Sequence, residues 1–346
     1  MTNDGGGHFA GQTVSWLGLE LTVASFTFED LVRFRRPPAE GPMVQRQTLD
    51  RAVAETERFD GVLAEAPESV LLHYVRRKRG LRPLRWLVNV VQLLDRVQPL
   101  RAMVRRIYGD DPLALAAADP RVRWLVTTRA HIEPLVRAGL PRERVTFYPS
   151  NTASQEHMMP TAAALFAEDA VRALPESLRG VAGGVLVAGT NNRDIETVAR
   201  AAEIARTPIH VLTDLRRTPP VASPWLAYHD VVPLADFVAA VARSRLLLIP
   251  LHAGDASCGQ QTIAIAQRVR TLVVASDVPA VRDYIADGES GLLVPPGDPE
   301  ALAAALGRAL TDLRAPTLIE AAFERDARDG RHAERLFLDA YLAPLP

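Results

Sequence analysis

The sequence predicts an α/β protein made of two doubly wound, Rossmann-like parallel-sheet domains. Three observations predict it. Apolar runs of strand length alternate with helical patterns along most of the chain, the order that builds a parallel sheet with helices on both faces. Several of these runs end directly in loops rich in Gly and Asn, as at the carboxyl edge of such a sheet. The chain has 346 residues, 48% of them hydrophobic, which suits two domains of ordinary size.

The elements follow in order. Residues 1–8 are polar and Gly-rich, with a Gly5-Gly6-Gly7 run that reads as a tail or as a loop approaching a ligand. Phe9 to Leu19 reads as a short helix and Leu21 to Phe26 as a strand. A doubly wound domain normally opens with a strand before its first Gly-rich loop, and here that strand is missing. A helix is expected from Gln47 to Phe59, a strand at Gly61 to Ala64, and a helix from Ser69 to Arg79. Leu84 to Val91 is a continuous apolar strand. Val122 to Thr128 is the next, then a helix from Ala130 to Ala138 and a strand from Arg144 to Tyr148. The domain boundary falls near residue 152, giving domains of 1–152 and 153–330. A helical run from Thr161 to Leu174 belongs to the connection.

The second half opens with the strand Val185 to Ala188 and a turn, Gly189 to Asp194. A helix from Ile195 to Arg206, strands at Pro208 to Thr213 and Ala227 to Val232, and a helix from Pro233 to Ala242 come next. Asp298-Pro299-Glu300 is a helix start, with Asp as the cap and Pro in the first turn. Residues 314–330 and 331–342 read as terminal helices.

The totals exclude several classes. Net charge is −1, so no overall field points to nucleic acid. Of the 40 basic residues all but Lys78 are arginine, which a GC-rich genome explains. The single cysteine, Cys258, permits no internal disulfide and fits a reducing compartment. No apolar run reaches membrane-spanning length and no signal peptide opens the chain, so a cytoplasmic protein is expected. The stretch from Arg76 to Arg106 clusters basic side chains beside Leu, Trp and Val. It reads either as a face docking peripherally on anionic lipid or as a solvated pair of Arg-rich helices. No P-loop lysine, nucleophile elbow or zinc-type spacing is present.

The chemistry concentrates between Leu246 and Asp298. A strand ends at Pro250, a small-residue loop holds Gly254, Asp255, Ser257, Cys258 and Gly259, and a helix begins near Gln260 to Thr262. Small residues let a ligand approach the backbone, and the first helical turn offers unpaired N–H groups that favour an anion. The turn after Ala188 is a second anion seat of the same kind.

This segment resembles the donor-site signature of retaining GT-B glycosyltransferases of family 4. Pro250, Gly259, Ala266, Val273, Asp277, Tyr284, Gly288 and Gly291 to Asp298 fall in step with it. Ile265 stands where the family has a ribose-binding Glu, and Ser257 stands at the other family Glu. Gln267 to Leu272 replaces the Met-Ala-x-Gly-Lys-Pro run. The resemblance implies two domains facing across a cleft, with the last helix, 331–346, crossing back onto the first. It implies a nucleotide-diphosphate sugar as donor, a glycan, lipid or natural-product acceptor, retention, and neither metal nor cofactor. Arg193 falls where the family places a base against the diphosphate, though it could also pair with Asp194 or Glu196. The donor-binding set is then Gly189, Arg193, Ser257, Gly259, Gln260, Gln261 and Thr262, with Gln260 or Gln261 compensating for Ile265. Asp255 and His252 are the candidate catalytic side chains. Two further readings stand beside an active transferase: an inactive GT-B subunit that partners another enzyme, and a nucleotide-sugar epimerase on the same fold.

Overall fold

The structure, a computed structural model, describes residues 13–16, 19–22, 32–34, 42–44, 46–57, 61–90, 93–150, 165–167, 174–254 and 257–342. The chain divides into two compact units. One comprises Met1–Val23 with Pro149–Glu334, the other Ala24–Tyr148 with Arg335–Pro346.

Strands β1 (Thr13–Trp16) and β2 (Leu19–Thr22) pair antiparallel, as do β3 (Val32–Phe34) and β4 (Pro42–Val44). The helix expected across Thr13 to Leu19 is therefore a hairpin arm. Thr13, Val14 and Trp16 are β-branched or aromatic and favour a pleated surface. Residues 9–12 and the connection at 151–164 lie outside the described residues.

In the second of the two units, β5 (Gly61–Glu65), β6 (Arg85–Val90), β7 (Val122–Val126) and β8 (Val145–Phe147) form a parallel sheet in sequence order. Trp86, Val88, Val122 and Trp124 bury one core with Val70 and Tyr74 of the helix Ala66–Lys78. His73 lies on that helix. It is buried, sits edge-on to Trp86, and its Nε2 is 3.0 Å from Asp119 Oδ2. Arg121 binds the same carboxylate at 2.8 and 2.9 Å. Burial raises the carboxyl's proton affinity, but the hydrogen bonds from His73 and Arg121 outweigh it and hold Asp119 well below the usual carboxylate range. His73 is thus an internal fastening at the amino edge of β7, not a helix-surface residue.

The other unit holds a six-stranded parallel sheet of β9 (Val185–Ala188), β10 (Ile209–Leu212), β11 (Leu226–His229), β12 (Leu246–Ile249), β13 (Leu272–Ser276) and β14 (Leu292–Val294). The order is β11-β10-β9-β12-β13-β14. Side chains alternate between two cores: Leu186, Ala188, Leu247 and Ile249 on one face, Val185, Val187, Leu246 and Leu248 on the other. Both faces are covered, which explains why these strands read as unbroken apolar runs. From β9 the chain winds outward through β10 and β11, then returns to start β12 on the opposite side. The gap between the carboxyl ends of β9 and β12 is the topological switch point, where open α/β sheets bind ligands. The C-terminal pattern expected as two helices is one, Ala315–Leu342, running through Gly330.

On the β10–β11 edge, His210 Nδ1 and His229 Nε2 lie 2.9 Å apart with their rings stacked. Burial depresses both proton affinities below the ordinary 6.5, and His229 adds to the effect on His210. The unfolded chain therefore binds more protons than the folded one between those depressed values and 6.5. The expected result is a melting temperature that is constant above about pH 6.5 and falls as pH is lowered through the depressed values. His229→Phe should flatten that slope in a melting series from pH 8 to 5, and an unchanged slope would show that other groups cause it.

Candidate functional site

The site is built on the loops that leave β9 and β12, side by side at the switch point. After β9 the chain turns at Gly189, whose φ is +108°, and Asn192 follows at φ +55°. Asn is one of the few side chains that tolerates the left-handed region. These two positions reverse the chain so that Arg193 folds back beneath its own turn. Its Nε donates to Ala188 O at 3.0 Å and its Nη1 to Asn191 O at 2.7 Å. Arg193 is 8% exposed and forms no ion pair among the described residues. Burial lowers its proton affinity to about 10, so it stays charged at neutral pH. The sequence-based alternative, pairing with Asp194 or Glu196, is not what the structure shows. Asp194 caps the helix Ile195–Ala205, accepting from Thr197 N at 3.0 Å and Thr197 Oγ1 at 2.7 Å.

The two loops are joined. Arg193 and Leu251 form an antiparallel bridge, and Asp194 N donates to Pro250 O at 3.1 Å. Leu251 N donates to Ser276 Oγ at 2.8 Å, which ties the same loop to the end of β13. Ser276 is a positioning residue absent from the sequence-based set. Its signal was a lone hydroxyl ending the apolar run Leu272 to Ala275.

The helix Gln260–Arg268 follows the second loop. Gly259 precedes it at φ +89° and no side chain caps it, so the first-turn N–H groups keep their unpaired character. A side chain at 259 would start 3.0 Å from Ile249 Cγ2, so Gly is required by both space and conformation. Cys258 is 7% exposed. Burial raises its proton affinity and the charge of Arg193 opposes that rise, which places the two side chains close together.

Of the sequence-based set, Gly189, Arg193, Ser257, Gly259, Gln260 and Thr262 come together on these two loops and the first helical turn. Ser257, Gln260 and Thr262 are buried, and Gln260 Nε2 donates to Ser257 Oγ at 2.8 Å. Gln261 is exposed. His252 is also open to solvent, with Nδ1 3.8 Å from Asp194 Oδ2. Asp255 lies outside the described residues. Ile265 is 5% exposed and packs in the core with Leu251, Ile263 and Tyr284, so the position of the expected Glu faces inward. Tyr284 accepts a hydrogen bond from Ser150 N at 2.9 Å, and Gln267 Nε2 reaches Tyr284 O at the same distance.

The comparisons with known proteins match this geometry. Residues 185–312 match the family model for glycosyl transferases group 1. That group 1 segment spans β9 to the helix Pro299–Thr311 and so includes the whole site. No curated protein matches the chain. Among solved structures, Anabaena Alr3699/HepE in complex with UDP and glucose matches at 12% identity and TM-score 0.59, covering 86% of this chain and 82% of that one. Sucrose-phosphate synthase (tll1590) from Thermosynechococcus elongatus matches at 15% identity and TM-score 0.57, covering 96% and 86%. A UDP-forming trehalose-phosphate synthase from Burkholderia xenovorans matches at 14% and TM-score 0.58, covering 93% and 80%. The architecture is therefore GT-B, with two parallel-sheet units.

Much of the Arg-rich stretch is consumed internally. Arg76 is buried and pairs with Glu57, Arg79 with Asp50, Lys78 with Asp110, and Arg101 and Arg105 with Asp111. Among the described residues no helix is long and apolar enough to cross a membrane.

Proposed function

We propose that this protein is a glycosyltransferase that moves a sugar from a nucleoside diphosphate sugar to a glycan, lipid or natural-product acceptor, with retention and without metal or cofactor. The observation that carries the reading is the buried side chain of Arg193, without a carboxylate partner among the described residues, beside the uncapped start of the helix Gln260–Arg268. A buried cation is costly unless it is paired. A pyrophosphate supplies the missing counter-charge, and the helix amides add preorganised donors for the charge that develops on the leaving group. Neutralisation by these groups needs no metal. The group 1 segment and the UDP complex of the Anabaena protein support a nucleotide ligand of this kind.

The carbohydrate side of the donor is less conventional. With Ile265 in the core and Ser257 in place of an acid, carboxylate recognition of hydroxyls is weakened. The same observation favours, as a second reading, an inactive subunit that retains the fold and binds a partner enzyme. In either reading peripheral membrane contact rests on Arg77 and on Arg106, which have no ion pair among the described residues; Arg106 is followed in the chain by exposed Ile107 and Tyr108. The remaining arginines are not needed for it.

A thermal-shift panel of UDP-, GDP- and dTDP-sugars, followed by turnover of any that stabilise, tests the proposal. Stabilisation with transfer or slow donor hydrolysis is expected. Stabilisation without turnover supports the inactive subunit, and no shift with any nucleotide removes both donor-binding readings.

A further inference from the structure

We propose that Arg123, flanked by Arg121 and Arg144, seats a phosphate group at the amino edge of the β5–β8 sheet. This second anion site does not depend on the donor-site reading.

Strand register builds the seat. Between β6 and β7, Trp86 pairs with Val122 and Leu87 with Arg123; between β7 and β8, Trp124 pairs with Val145. One step back along these strands, Arg85 stands beside Arg121 and Arg123 beside Arg144. Trp86 N donates to Arg121 O at 2.9 Å, which fixes that end of the ladder. Val122, Trp124 and Val145 fill the core, so by alternation Arg123 leaves it. Like charges on adjoining strands repel, and here four arginines share one corner of a sheet.

Most of that charge is answered locally. Asp119 holds Arg121 at 2.8 and 2.9 Å. Arg144 donates from Nη1 to Asp119 O and from Nη2 to Ala117 O. Arg85 is engaged as well. Arg123 is half-buried and bonds nothing. Among the described residues it is the single arginine that is screened from water and has no partner; Arg77 and Arg106 are exposed. The carboxylates nearby are committed. Asp119 also binds His73, and Glu133 pairs with Arg142. Glu143 is exposed; it favours the charge on Arg144 while Arg123 opposes it, so the two guanidinium groups lie within each other's field.

A screened cation facing a second cation calls for a counter-ion. Tetrahedral phosphate oxygens accept from several planar N–H forks at once, which suits neighbouring arginines. Open α/β sheets bind substrates at the carboxyl ends of their strands, so a site at the amino edge serves another ligand. The chemistry is a phosphate dianion, either free or carried as a phosphomonoester.

The test is titration calorimetry with inorganic phosphate and with glucose 6-phosphate, at ionic strength held constant with sodium chloride. Arg193→Ala is the parent chain, because phosphate can also enter at Arg193. It should bind phosphate, and adding Arg123→Gln should weaken that binding about tenfold or more, the effect of losing a charged hydrogen bond. Arg123→Lys should keep part of the affinity. Tighter binding of the monoester identifies a phosphorylated metabolite as the ligand, and equal binding the free ion; both support the seat. Without phosphate, Arg123→Gln should melt no lower than its parent, since only a repelling charge is removed. Phosphate should then raise the melting temperature of the parent more than that of the variant. Should Arg193→Ala fail to fold, the wild-type chain takes its place, and Arg123→Gln should lose one of two binding steps. The proposal is overturned if the parent chain binds no phosphate, if Arg123→Gln binds it as tightly as the parent, or if sodium chloride alone stabilises as phosphate does.

Discussion

Arg193→Ala should weaken binding of a nucleoside diphosphate by ~1.5–3 kcal/mol, a loss of roughly tenfold to a hundredfold, as for a charged hydrogen bond. Two features set the size. Arg193 is 8% exposed and its Nε and Nη1 are fixed by the carbonyls of Ala188 and Asn191, so it meets an anion without reorganising. It also has no carboxylate partner among the described residues, so no ion pair described there must break to admit the anion. A bare nucleoside, without phosphates, should bind the variant and wild type equally, which separates loss of charge from damage to the loop. Arg193→Lys should recover part of the loss, because an ammonium keeps the charge but not both carbonyl contacts. The charge is lost only as pH rises through about 10, so phosphate-dependent affinity should stay level from about pH 7.5 to 9, above the second ionisation of the terminal phosphate. Equal diphosphate affinity in calorimetry for wild type and Arg193→Ala would remove the anion-binding role of this side chain.

Gly189→Ala should be the more damaging change for so small a substitution. At φ +108° a side chain is strained wherever it points, a penalty of about 1–3 kcal/mol. Here it also points at Arg193: an added Cβ would lie 2.9 Å from Cζ of the guanidinium. The arginine must leave its position beneath the turn, and a buried group has little room to move. Both stability and diphosphate affinity should fall, the latter to the level of Arg193→Ala. The double variant isolates the cause. In Gly189→Ala/Arg193→Ala the collision is gone and only backbone strain remains. The double variant should therefore lose less than the sum of the two single losses, as expected for residues in contact. Strictly additive melting and binding losses would mean that Gly189 and Arg193 act independently.

The acid-sensitive histidine pair is a smaller effect, and the parts of the molecule differ in how visible they are from sequence. The strands β9 and β12 were legible because both faces of the sheet are buried, which leaves unbroken apolar runs such as Leu246 to Ile249. Arg193, Gly189 and Gly259 were legible because a strand, a turn with Gly and a helix entry are local patterns. His73 was not. Its partner Asp119 is 46 positions away in sequence, and nothing local separates a helix-surface histidine from a buried one. Part of the Arg-rich stretch was illegible for a related reason. Arg76, Arg79, Arg101 and Arg105 pair with Glu57, Asp50 and Asp111, which only folding brings near them. The hairpin at Thr13–Thr22 failed on propensity, where a short amphipathic run suits either state.

By itself the sequence determined the two-part α/β architecture and the strand–turn–helix segments that follow β9 and β12, because strand burial and glycine-dependent turns leave marks within a few residues. Only the tertiary structure decided that Arg193 is a buried cation with no ion pair among the described residues, that Ile265 belongs to the core, and that Gln260 is buried where Gln261 is exposed. Pairing and burial depend on which distant groups arrive beside a side chain, and strand order at the switch point sets that.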